Sequence, residues 1–154
     1  HLDERNAKRN RNLEYLNREL GKVKGIEPFK TPPYVKRVYY EYRIRFNPDE
    51  LGGVSREKLI EALRAEGAKV EAERYPLLHL QPVFQERNLY GKGCPFDCPH
   101  VRRKIFYRKG DLPVTEIVQE RLLRLPTFPN AEKPLLDQYV DAFRKVTENI
   151  EELL

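Results

Sequence analysis

Residues 34–46, YVKRVYYEYRIRF, constrain the fold more than any other stretch. Val38, Tyr40, Tyr42, Ile44 and Phe46 alternate with Arg37, Tyr39, Glu41, Arg43 and Arg45. Side chains of a strand point alternately to its two faces, so this period of two predicts a β-strand with one buried and one polar face. Its aromatic and β-branched content suits a pleated, half-buried surface. Such a strand needs neighbours in a sheet and a second layer to cover its apolar face. The rest of the chain has to supply both.

The remaining pattern supplies helices and two further strands. Residues 3–20 read as a helix with Leu13, Leu16, Leu20 and Val23 on one face, closed by Gly21. Its first half offers only Ala7 as an inward residue, so that half is either solvated or packed on something this chain lacks. A linker with Pro28, Pro32 and Pro33 follows, and Asn47-Pro48-Asp49 breaks the strand. Ser55 is placed to cap a helix whose stripe is Leu59, Ile60, Ala62 and Leu63, ended by Gly67. Ala68, Val70 and Ala72 alternate with Lys69, Glu71 and Glu73 as a second strand. Pro113 opens a short helix, residues 122–125 form a third strand, and a helix from about Pro134 carries Leu136, Val140, Phe143, Thr147 and Ile150. The expected fold is α+β, a single domain over residues 1–154 with a small, mostly antiparallel three-stranded sheet covered by helices. The segment 74–110 reads as one long ordered loop, and loops of that length are commonly functional.

Composition narrows the function classes. With 154 residues the chain is large enough to hold a core without disulfides or metal. No apolar run can cross a bilayer and no basic–apolar leader is visible, so no membrane partner and a cytoplasmic location are expected. The net charge is +5, but residues 1–24 hold seven basic and four acidic side chains while residues 130–154 hold three basic and six acidic. Ends of opposite sign attract each other, so the basic balance is read as a solvated surface rather than a nucleic-acid footprint. The charged fraction of 34% without methionine leans towards a thermophile. Residue 1 is His and no Met is present, so a fragment or a processed piece is expected.

Two clusters could carry chemistry. Cys94-Pro95-Phe96-Asp97-Cys98-Pro99-His100 places two thiols and an imidazole within seven residues. With His79 these would make a four-ligand zinc set, but a single C-x3-C pair is half of what structural zinc sites use. A disulfide is the next reading, and two free thiols are the expected state. Arg102, Arg103, Lys104, Arg108 and Lys109 interleave with Phe106 and Tyr107. Cations and aromatics in this mixture could bind phosphate and stack bases, yet no recognition motif accompanies them. No dinucleotide fingerprint, phosphate loop or nucleophile elbow occurs.

Three stretches in order resemble a known pattern. The first is Arg5-Asn6-Ala7 leading to Leu13, Leu16 and Leu20. The second runs from Val38 to Arg45, through Leu59 to Gly67, to Tyr75-Pro76-Leu77-Leu78-His79-Leu80-Gln81-Pro82. The third is Leu112-Pro113-Val114-Thr115-Glu116, then Leu125-Pro126-Thr127-Phe128-Pro129 and the last helix. Together they resemble the C-terminal domain of the DegT/StrS sugar aminotransferases, enzymes of fold type I that use pyridoxal phosphate (PLP). The segment with Cys94 and Cys98 departs from the commonest members.

The resemblance implies a small domain that follows a large PLP-binding domain and closes over the substrate side of the active site, near a homodimer interface. The Schiff-base lysine and the cofactor contacts would lie in that large domain, and no lysine here matches the lysine motif. This chain is therefore expected to hold no catalytic residue, to bind no cofactor alone and not to transaminate by itself. Its implied partners are the missing large domain, a second subunit, a keto sugar, nucleotide sugar or cyclitol, and glutamate or glutamine as amino donor. Arg74, Tyr75 and His79 match the substrate loop. Arg74 would bind a carboxylate or phosphate, Tyr75 would offer a stacking face and a hydroxyl, and His79 would hydrogen-bond or fill an apolar setting. Thr115 and Glu116 match a P-x-T-E step whose plain role is to cap a helix. Two other classes compete: a free-standing regulatory module of the same fold, and a basic nucleic-acid-binding module.

Overall fold

Tyr42, Ile44 and Phe46 do form the inward face of a strand, but that strand, β2, covers only Tyr42–Phe46. The computed structural model describes residues 1–154, which form two compact units. One comprises His1–Ala72 and Arg121–Leu154, the other Glu73–Glu120.

The first unit holds the core. Its elements are α1 (Leu2–Leu20), β1 (Ile26–Pro28), β2, α2 (Arg56–Ala65), β3 (Glu71–Ala72), β4 (Leu122–Leu125) and α5 (Lys133–Glu148). The sheet is antiparallel with order β1-β2-β4-β3, so it has four strands rather than the expected three. The added strand is β1, three residues that end in a proline and pair Ile26 with Phe46. It lies in the stretch the sequence marks as a linker. Val38 and Tyr40, expected on the buried face, are exposed. The ladder explains this: β1 stops at the pair Pro28–Ile44 and β4 at Leu125–Tyr42, so residues 34–41 have no strand to pair with. The expected strand over 68–72 likewise shortens to β3, although Ala68 and Val70 still point inward.

The inner sheet face, with Ile26, Ile44, Phe46, Leu123 and Leu125, is packed by α1, α2 and α5. Full burial of a Leu or Phe side chain contributes about 1.5–3 kcal/mol, and Leu13, Leu16, Leu20, Leu59, Leu63 and Phe143 are all at or near zero exposure. The helices start where their caps say. The Ser55 hydroxyl accepts the N–H of Lys58 at 3.3 Å, and Pro134 sits in the first turn of α5. Polar ties set the crossings. Tyr42 donates to Asn17 Oδ1 at 3.0 Å, and Asn12 Nδ2 donates to the carbonyls of Phe128 and Ala131 at 2.7 and 3.0 Å. The first half of α1 buries no side chain, and residues 36 and 37 lie beside it through Lys36–Asp3 and Asn10–Arg37 contacts.

The outer sheet face is charged. Arg43 stands directly across from Arg124, a like-charge pairing that destabilises a ladder when unrelieved. Glu41 relieves it by accepting from both, and Glu71 pairs with Arg124 as well. No helix of the chain is long and apolar enough to cross a membrane.

Candidate functional site

All of the sequence-derived site residues fall in the second unit, Glu73–Glu120, and it is built differently from the first. It contains a 3-10 turn at Leu78–Leu80, a short helix α3 (Pro82–Glu86) and helix α4 (Pro113–Glu120). The segment 74–110 is thus not wholly irregular. Pro82 sets the first turn of α3, where its missing N–H costs nothing.

Arg74 and Tyr75 are exposed and held together. A carboxylate oxygen of Glu73 accepts both of their backbone N–H groups, at 2.9 and 3.1 Å. The Arg74 guanidinium donates to the Tyr75 hydroxyl at 3.1 Å and lies 4.9 Å from the centre of its ring. Gln119 of α4 donates to the Tyr75 carbonyl at 3.4 Å. A planar cation stacked on a phenol presents both charge and an aromatic surface to solvent, the recognition chemistry for an anionic or hydroxyl-rich ligand.

His79 lies apart from that pair and is 5% exposed. The 3-10 turn leaves Leu78 outside and turns the imidazole inward. Its Nε2 lies 2.9 Å from Oε1 of Glu116, which is 7% exposed. Both oxygens of that carboxylate also accept the N–H of Gly110, at 2.8 and 2.9 Å. Two separate segments, the 3-10 turn and the loop at Gly110, therefore converge on one side chain of α4. The Gly110 N–H, and next the His79 ring, hold the Glu116 carboxyl below its ordinary value of 4.5, against the opposing effect of burial. An ionised carboxylate only accepts, so the proton between the pair resides on Nε2 of His79. That nitrogen is engaged, and only the other ring nitrogen could meet a ligand. The sequence marked Glu116 as a helix-capping residue. Its partnership with a histidine 37 positions away is visible only once α4 is folded against the 3-10 turn.

Cys94 and Cys98 are joined as a disulfide and no cysteine is free. This corrects the expectation of two free thiols, and in this bonded state the sulfurs are not the thiolates that the Cys94, Cys98, His100 metal alternative needs. His100 is exposed. Arg87, which the sequence reading passed over, organises the adjacent loop. It adopts φ +57 and donates to the carbonyls of Ile105 and Phe96. Its guanidinium lies 3.9 Å from the centre of the Phe106 ring. Phe84 packs edge-on against Phe96 and Tyr107, at 5.8 and 5.6 Å. The one sequence signal was an arginine in a glycine- and proline-rich stretch with five aromatics, Phe84, Tyr90, Phe96, Phe106 and Tyr107. Tyr107 packs on Phe84, Phe106 carries the Arg87 guanidinium while staying exposed, and Lys104 is paired with Asp97.

The profile of the DegT/DnrJ/EryC1/StrS aminotransferase family matches residues 1–144. The chain belongs to that family. Among curated relatives of this DegT-family chain is a protein of Streptoalloteichus tenebrarius provisionally named L-glutamine:3-amino-2,3-dideoxy-scyllo-inosose aminotransferase. The two are 32% identical, over 98% of this chain and 37% of the relative. Another is the L-glutamine:2-deoxy-scyllo-inosose aminotransferase of Micromonospora echinospora, 36% identical over 56% of this chain and 22% of that protein. The fold is that of DesV from S. venezuelae, solved in complex with a ketimine intermediate: TM-score 0.72, 24% identity, over 97% of this chain and 33% of that one. This DegT-family chain spans about a third of the length of the Streptoalloteichus relative and of DesV.

The family implies PLP, and the chain's own lysines can be tested for it. A Schiff-base lysine is activated by desolvation or a neighbouring cation. All twelve lysines here are solvent-exposed, and Asp137 shifts Lys133 up rather than down. The residues present do not fit a resident Schiff-base cofactor.

Proposed function

We propose that this chain is the small, C-terminal domain of an aminotransferase that delivers an amino group to a keto sugar, nucleotide sugar or cyclitol. The observation that carries the reading is the family match over residues 1–144, combined with coverage of only about a fifth to a third of the matched proteins. The cofactor and its lysine belong, in this reading, to the part of the enzyme that precedes these residues, and a second subunit completes the site. The names of two relatives favour glutamine as donor and an inosose-type cyclitol as acceptor. Arg74 and Tyr75 form the substrate-side contact. The stacked guanidinium binds a carboxylate or phosphate, and the Tyr75 ring covers a sugar or cyclitol face. Helix α4 links the pair to the buried clasp, since its Gln119 reaches the Tyr75 carbonyl and its Glu116 is bound to His79.

The native protein tests the reading directly. Its intact mass and visible spectrum should reveal a far longer chain with a PLP band that is lost when the cofactor is stripped. A native chain of this length without such a band would leave a free-standing binding module. In the full enzyme, Arg74→Ala should raise KM for the acceptor more than it lowers kcat. An unchanged KM would remove Arg74 from the substrate contact.

A further inference from the structure

The second unit is held together in an unusual way. Of all the buried apolar side chains in the protein, Cys98 is the only one that lies between Glu73 and Glu120. A segment without an apolar core depends on local ties, and regions with few buried contacts open at low free-energy cost. The ties in loop 88–107 are local and polar. Asn88 Oδ1 accepts the N–H of Gly93 at 2.8 Å, Lys104 pairs with Asp97, and Arg87 holds the carbonyls of Ile105 and Phe96. Backbone N–H groups of Tyr90, Cys94, Phe96, Asp97 and Val101 close short turns inside the loop, and one further tie is covalent, between Cys94 and Cys98.

We propose that the Cys94–Cys98 bond is a thiol–disulfide switch that sets the order of loop 88–107. Three observations carry this. The bond spans four positions within one loop, so it secures that loop and no long-range crossing of the first unit. Cys94 is partly exposed while Cys98 is buried, which directs an incoming thiolate to the Cys94 sulfur. The chain has no third cysteine, so reduction yields one defined dithiol and reoxidation restores the same bond. The exchange partner is a dithiol. Its first thiolate bonds to Cys94 Sγ, and Cys98 Sγ leaves and takes up a proton. Its second thiolate then forms the reductant's own disulfide and releases Cys94, which is protonated in turn. Two electrons and two protons have moved to the protein.

The loop's order reaches the candidate site through contacts inside the same unit. Phe96, between the two cysteines, packs on Phe84 of α3. The next residue of α3, Gln85, donates to the carbonyls of His79 and Tyr107, at 2.7 and 3.1 Å. The switch goes beyond the aminotransferase reading and does not depend on it, because its readouts are mass and amide exchange rather than turnover.

The experiment uses this chain purified without reductant. Iodoacetamide should add nothing before treatment with dithiothreitol and two groups after it. Hydrogen exchange of peptides covering loop 88–107 should then quicken, by up to about 30-fold from the ring-closure entropy of so short a loop. Peptides from α5 should be unchanged. A Cys94→Ser, Cys98→Ser double variant should exchange like the reduced protein and ignore dithiothreitol. Alkylation of both thiols before reduction would overturn the proposal, as would loop exchange that is the same in both redox states. If the double variant loses protection in α5 as well, it has unfolded, and the comparison of oxidised with reduced wild type decides alone.

Discussion

Gly110 offers a clean way to perturb the candidate site without touching any side chain in it. Its N–H donates to both oxygens of Glu116, and it holds φ at +94. A Cβ built there meets no atom within 4 Å, so Gly110→Ala introduces no clash. Its whole effect is the cost of keeping an L-residue in the left-handed region, about 1–2 kcal/mol. An energy of that size changes an equilibrium by about 5- to 30-fold. The Glu116 clasp should therefore open about 5- to 30-fold more often, and His79 should lose its partner in the same events. Hydrogen exchange with mass spectrometry reads this directly. Peptides covering 107–120 should quicken by that factor, while peptides from α5 keep wild-type rates. Gly110→Asn should fall between the two, since a short polar side chain visits the left-handed region more readily. If Gly110→Ala exchanges like wild type over 107–120, the glycine's conformation is not what holds the clasp. If α5 quickens equally, the two units do not open independently. Either result refutes the reasoning.

Two further predictions concern pH and packing. Glu116 is held below its ordinary value of 4.5 in the folded protein, so the clasp's contribution is complete above that value and is lost as pH falls through the lower folded one. Protection of the Gly110 amide should thus be level above pH 4.5 and decline in acid, whereas Glu116→Gln should show no such decline. Phe143 is fully buried in the middle of α5, and Phe143→Ala should cost about 3–5 kcal/mol. The urea midpoint should drop accordingly with the slope unchanged, and a loss of only a few tenths of a kcal/mol would mean that α5 is not central to the core.

The core was legible where a pattern and a cap agreed. Leu13, Leu16 and Leu20 lie on the buried face of α1, Ser55 caps α2, and residues 122–125 form β4 over the span their composition suggests. The family resemblance rested on the same kind of ordered signal and is matched by the profile over residues 1–144. The failures share a cause: pairing is a property of two segments, and one segment cannot announce it. Residues 34–41 keep the alternation of β2 but meet no neighbouring strand, while Ile26–Pro28 has no alternation and yet pairs, because β2 offers it an edge. The candidate site shows the same limit. The exposed pair Arg74 and Tyr75 are adjacent in the chain, so their proximity could be read. The bond from His79 to Glu116, the disulfide and the fork of Arg87 over Ile105 and Phe96 depend on how a core-poor segment folds back on itself.

The strand order has a consequence for how much change the segment between β3 and β4 can absorb. β3 and β4 are hydrogen-bonded neighbours, with Ala72 paired to Leu123, and the whole of Glu73–Glu120 is the connection between them. In topology those forty-eight residues are the tip of a hairpin. Closing a loop becomes dearer only with the logarithm of its length, about 0.6 kcal/mol for each doubling. The stem of the hairpin is anchored in the core, so the tip behaves as an interchangeable cassette. It can lengthen, shorten or trade its aromatic and cationic residues for others while the sheet beneath keeps its register. Changes of sequence or length in this segment leave the pairing that joins β3 to β4 untouched.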